Sequence, residues 1–110
     1  MNRELKFRAW HKNQNVMVES NRFKGVMNTH YDNYNIMQYT GLKDNNGIDI
    51  YEGDIVISSY FTGVAEWWRN GFYFKTHSEK HHSFQTAAHS FKIIGNIYQN
   101  PELLKEVKNG

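Results

Sequence analysis

The sequence predicts an all-β fold, a small barrel-like or rolled antiparallel sheet built from hairpins, with one short C-terminal helix. Three observations carry this. Apolar residues alternate with polar ones along most of the chain, the period of half-buried strands. Turn signals rich in Asn and Gly recur about every ten residues, as in small β domains. Helix-forming chemistry collects in one place, the segment after Asn100. The 110 residues contain no linker, internal repeat or low-complexity tract, so a single domain over 1–110 is expected. Aromatic residues make up 15% of the chain and mean hydropathy is −0.77, so Phe, Tyr and Trp must supply most of the burial.

The elements follow in order. In "ELKFRAW", Leu5, Phe7 and Ala9 fall on one side and Lys6, Arg8 and Trp10 on the other. "HKNQN" supplies a turn and "VMVES" the returning strand. Residues 24–35 are rich in Asn and poor in pattern, and are predicted to be mostly loop. In "QYTGLKDNNGIDIYEGDIV", a two-residue turn at Asn46-Gly47 would set Asp44 opposite Asp49, a like-charge pair that a ladder disfavours. A three-residue loop, Asn45 to Gly47 with Gly47 in the left-handed region, instead sets Lys43 opposite Asp49. At "EGD", Gly53 takes a positive φ and Asp54 caps a backbone donor before the strand "IVISSYF".

The next hairpin, "GVAEWWRNGFYFKT", centres on Asn70-Gly71, the preferred pair for a two-residue turn. That register sets Arg69 opposite Phe72, Trp68 opposite Tyr73, Trp67 opposite Phe74 and Glu66 opposite Lys75. One face carries Ala65, Trp67, Phe72 and Phe74 and is expected to be core. The other carries Glu66, Trp68, Tyr73 and Lys75, and points outward. "FKIIGNIY" returns to strand. Asn100 then serves as N-cap and Pro101 as first helical residue, with Leu103, Leu104 and Val107 facing inward, Lys105 and Lys108 toward the far end, and Asn109-Gly110 as the stop.

Composition excludes several functions. With no cysteine there is no disulfide, thiolate zinc site, iron–sulfur cluster or Cys nucleophile, and cytoplasm is the expected location. The start of the chain is charged and alternating, and no apolar run approaches ~18 residues, so neither export nor membrane spanning is expected. No phosphate-cradling loop, dinucleotide fingerprint or nucleophile elbow occurs, so no enzymatic activity and no cofactor are expected. Among the six histidines, His77, His81 and His82 are weak metal candidates. A helical zinc motif would need Glu directly after the first His, where Ser78 stands. The acidic cluster of Asp44, Asp49, Glu52 and Asp54 reads as structural.

Two surfaces remain as binding candidates. Trp68 and Tyr73, turned outward by the hairpin, would waste roughly 1.5–3 kcal/mol of burial each if left in water. Cover by the C-terminal helix or a loop, a subunit interface and a ligand site are the outcomes open to them, the last two functional. Lys6, Arg8, Trp10 and Lys12 interleave basic and aromatic groups as nucleic-acid-binding β domains do, although the formal charge is only +2.

"KFRAW", "MQYTGLKDNNGIDIYEGDIV", "GVAEWWRNGFYF" and "IIGNIYQNPELL", in this order and spacing, resemble the YopX family of phage and prophage proteins. The resemblance implies a small, mostly β protein with no established biochemical activity, no catalytic residues to carry over, and members that assemble into oligomers. This chain departs from the family pattern at His11 and at Trp68, where acidic or polar residues are usual, and matches it poorly over residues 24–35 and 76–90. The reading placed first is a non-enzymatic, self-associating accessory protein that contacts a host or phage protein. The alternative is a nucleic-acid-binding barrel using the basic strand.

Overall fold

A computed structural model describes residues 5–19, 33–59, 61–76, 80–83 and 91–104. Nine strands lie among them: β1 (Phe7–His11), β2 (Val16–Val18), β3 (Tyr34–Lys43), β4 (Asp49–Tyr51), β5 (Asp54–Ile57), β6 (Thr62–Trp68), β7 (Gly71–Thr76), β8 (His81–Ser83) and β9 (Lys92–Asn96). All pairings are antiparallel. They make two sheets, ordered β2-β1-β3-β4 and β8-β7-β6-β5-β9, the first curling into a half-barrel. The mainly β fold is thus as predicted, with one helical turn at residues 102–104.

The chain crosses between sheets at the Glu52-Gly53 turn. Gly53 has φ +88, and the Asp54 carboxylate accepts the Tyr51 N–H at 2.8 Å, both as the sequence predicts. The three-residue loop is also as predicted: Gly47 has φ +79 and Lys43 stands opposite Asp49. Asp44 anchors that loop. Its Oδ1 accepts N–H groups from Asn46 and Ile48, and its Oδ2 accepts that of Ile93 at 3.1 Å. The Asn45 N–H donates to the Phe91 carbonyl at 2.8 Å. Loop and β9 are thereby joined, and this seam unites the two sheets.

Two apolar clusters fill the interior. Ile50, Val56, Ala65, Phe74 and Phe91 form one, with Leu42, Phe61 and Ile93 packed on it. Trp10, Met37, Tyr39 and Tyr51 form the other, with Met17 and Tyr98. The interior is rich in aromatic rings, as composition requires.

Three local expectations are corrected. The loop predicted to reach residue 35 gives way to β3 at Tyr34; residues 20–32 lie outside the described residues. Asn100 does not cap the helical turn with its side chain, which instead accepts the Asn96 N–H at 3.2 Å. That side chain fills the space where a Cβ on Gly95 would sit, with Asn100 Oδ1 only 2.5 Å from the position. Residues 105–110 lie outside the description, and with them Lys105, Val107, Lys108 and Asn109-Gly110.

The third correction is the register of the β6–β7 hairpin. Ala65 pairs with Phe74, Trp67 with Phe72 and Trp68 with Gly71, so the turn residues are Arg69 and Asn70. Arg69 takes φ +61, an uncommon conformation for a side chain of its size. The core explains the preference. This register sets Phe74, fully buried, across from the small Ala65 and against Phe91, at 4.2 Å between ring centroids. Burying a Phe is worth roughly 1.5–3 kcal/mol, which outweighs an optimal turn. The slide moves every partner by two residues, so each residue keeps its predicted face.

Candidate contact surface

The β6–β7 hairpin carries aromatic rings on both faces, and its turn brings Arg69 beside them. On the outer face, β8 lies against β7 with His81 opposite Lys75. The His81 ring stacks flat on Trp68 at 3.8 Å and 8°. Tyr73 meets Trp68 edge-on at 5.2 Å, and the Arg69 guanidinium stands 4.6 Å from the Trp68 ring. Glu66 Oε1 is 3.5 Å from His81 Nε2. Trp68 and Tyr73 are consequently half-buried. The outward pair predicted from the register is covered by a strand of its own sheet.

The exposed ring is its neighbour. Trp67 lies on the core-side face but is 50% exposed, with Phe72 edge-on to it at 4.9 Å. Ala65 and Phe74 on the same face are fully buried. The face is therefore core near Ala65 and surface near the turn, because the hairpin runs past the end of the packed interior. Alternation assigns a residue to a face and carries no information on how far the opposing layer extends, so Trp67 was out of reach of a sequence reading. Trp67 offers an apolar contact at the hairpin end, with Arg69 in the adjoining turn lying over Trp68 on the other face; Trp and Arg are both frequent interface anchors.

The basic strand turns inward. Lys6 and Lys43 both pair with Asp49, and Lys6 stands 4.7 Å over the Tyr39 ring. Arg8 donates to Asp54 at 2.6 Å and lies 4.7 Å over the Tyr51 ring. Trp10 is buried and stacks on Tyr98 at 5.9 Å. Lys6, Arg8 and Trp10 share a face as the alternation predicts, yet that face looks into the molecule; Lys12 stands apart in the exposed β1–β2 turn. Burial pushes the Asp54 carboxyl above its ordinary value in spite of Arg8 and the Tyr51 N–H, which act the other way. Arg8 Nε is buried without a hydrogen-bond partner among the described residues. A strand of this kind holds the fold together and leaves little of Arg8 or Trp10 for a nucleic acid.

The described histidines do not converge. His81 and His82 are adjacent on β8 and so face opposite sides: His81 covers Trp68, and His82 stacks on Phe61 at 4.1 Å. His77 lies outside the described residues. Among the described residues no group of three His, Cys, Asp or Glu is placed to hold a metal. Nor is any described helix long and apolar enough to cross a membrane.

Comparison with known proteins agrees with this architecture. The crystal structure of protein EF1440 from Enterococcus faecalis superposes with a TM-score of 0.71 at 25% identity, covering 94% of this chain and 99% of that one. No curated protein matches the chain. The family model for YopX protein matches residues 21–105, from before β3 to the C-terminal helical turn. On that match the chain belongs to the YopX family.

Proposed function

We propose that this protein is a phage- or prophage-encoded accessory protein of the host cytoplasm that acts without catalysis, as a self-associating module contacting a host or phage protein. The observation that supports it best is the exposed Trp67, edge-on to a half-buried Phe72 at the end of the β6–β7 hairpin, with the exposed Arg69 in the adjoining turn. Aromatic and Arg side chains are the groups enriched among interface anchors. Placement on a rigid hairpin limits the entropy lost on docking. The phage setting rests on the family resemblance alone.

The contact moves from Trp68, where the sequence places it, to Trp67. Trp68 and Tyr73 serve as the support that fixes the hairpin under His81. Static light scattering on Trp67→Ala tests the reading. The wild-type chain is expected to weigh more than its 13.1 kDa protomer and Trp67→Ala to approach it, whereas a wild-type mass equal to the protomer, or a variant mass unchanged from wild type, would remove this surface from any self-association.

A further inference from the structure

Three Asn-Gly pairs occur in the chain: Asn46-Gly47, Asn70-Gly71 and Asn109-Gly110, the last outside the described residues. A glycine nitrogen has no Cβ to shield it, so a preceding Asn side chain is open to attack by it. The two described pairs differ in why the glycine is there. Gly47 has φ +79, so its turn requires glycine. The Gly47 N–H is donated to the Asp44 carbonyl at 3.0 Å, and the Asn46 N–H to Asp44 Oδ1 at 2.8 Å, which pins that dipeptide from both sides.

Gly71 opens β7 and pairs with Trp68 across the ladder, but its turn does not require glycine. It is not among the positive-φ glycines, because the turn strain has moved to Arg69. A Cβ at Gly71 would meet only Tyr73 Cε1, at an ordinary 3.7 Å. Asn70 is exposed at the hairpin tip, and no hydrogen bond holds its side chain among the described residues. The fold therefore tolerates a side chain at Gly71, and with glycine there no Cβ shields its nitrogen from the exposed Asn70 amide.

We infer that Asn70 is a site of spontaneous covalent modification, its side-chain amide being lost through a cyclic imide formed with Gly71. The Gly71 nitrogen gives up its proton to a solvent base and bonds to Asn70 Cγ. The Cγ–Nδ2 bond breaks, and ammonia leaves with a proton from solvent. Water then opens the five-membered ring at either carbonyl, giving an aspartyl or an isoaspartyl residue. The balance is one water consumed and one ammonia released, with no oxidant or reductant. Either product sets a carboxylate next to Arg69, whose guanidinium otherwise lies over Trp68. The isoaspartyl form also lengthens the two-residue turn by one backbone carbon, which disturbs the Trp68–Gly71 pair that closes the hairpin.

The test is peptide mapping by mass spectrometry of the purified full chain, held folded in warm, mildly alkaline buffer. The peptide containing Asn70 is expected to gain one mass unit and split into aspartyl and isoaspartyl forms several-fold faster than the peptide containing Asn46. Gly71→Ala, with an unchanged circular dichroism spectrum, is expected to slow the Asn70 conversion several-fold, and Asn70→Gln to abolish it at that position if Gly71→Ala proves poorly folded. Conversion of Asn46 as fast as Asn70 in the folded chain, an Asn70 peptide that stays unmodified, or a folded Gly71→Ala that converts at the wild-type rate would each overturn the inference.

Discussion

Burial alone would push the Asp44 carboxyl up, yet N–H groups from Ile48, Ile93 and Asn46, helped by Lys92, outweigh it and hold the acid below its ordinary value of 3.8. Folding therefore favours the ionised form. The stabilisation is present above the unfolded value and is lost as pH falls through the lowered folded one. In urea titrations taken into acid, the wild type is expected to lose stability across that window. Asp44→Asn is expected to start lower, by about 1–3 kcal/mol for a disturbed buried hydrogen-bond acceptor, and to lose less; the same acid slope in both chains would assign the loss to other groups. Part of this was legible in the sequence, since like-charge repulsion at Asp49 dictated the loop length. The Ile93 contact was not, because its two ends are 49 residues apart and no periodicity links them.

The β6–β7 hairpin shows where local rules give way to packing. Face assignment needs only the parity of the strand, so Ala65, Trp67, Phe72 and Phe74 were placed together correctly. Register depends on the turn and on what the far side of the core accepts. Asn70-Gly71 argued for one answer and Phe74 enforced another. The two phenylalanines of β7 separate these influences, as they share a face but only Phe74 is fully buried. Phe74→Ala is expected to cost about 3–5 kcal/mol and Phe72→Ala clearly less, measured as shifts of the urea midpoint; equal losses would mean that packing of Phe74 on Phe91 does not decide the register. The same limit explains why Trp68 is half-buried and Trp67 is 50% exposed. Whether a ring on a known face is covered depends on β8, whose short "HHS" strand lies in a segment too polar to read as an element.

At the scale of the whole molecule, the mainly β class was readable and the sheet order was not. Arg8 on β1 and Asp54 on β5 join the half-barrel to the second sheet through one short ion pair, with side chains 12% and 3% exposed. Read along the chain, Arg8 resembled a nucleic-acid contact because its partner lies 46 residues away. Removing Arg8 alone strands a buried carboxylate, so Arg8→Met is expected to destabilise by about 3–5 kcal/mol and the double change Arg8→Met with Asp54→Asn by distinctly less. A double change no milder than the single one would show that the Arg8 stem and its stack on Tyr51, rather than charge pairing, hold the sheets together. The position of β9 has a consequence for biosynthesis. It is the last described strand, yet it pairs with β5 near the middle of the chain and takes the Asp44 loop on its other side. On the ribosome, β5 emerges with Ile55 and Val56 and keeps one bare edge until Lys92–Asn96 follow, an edge that favours pairing with another nascent chain. Emergence of Lys92–Asn96, rather than any local folding event around β5, is what covers this edge.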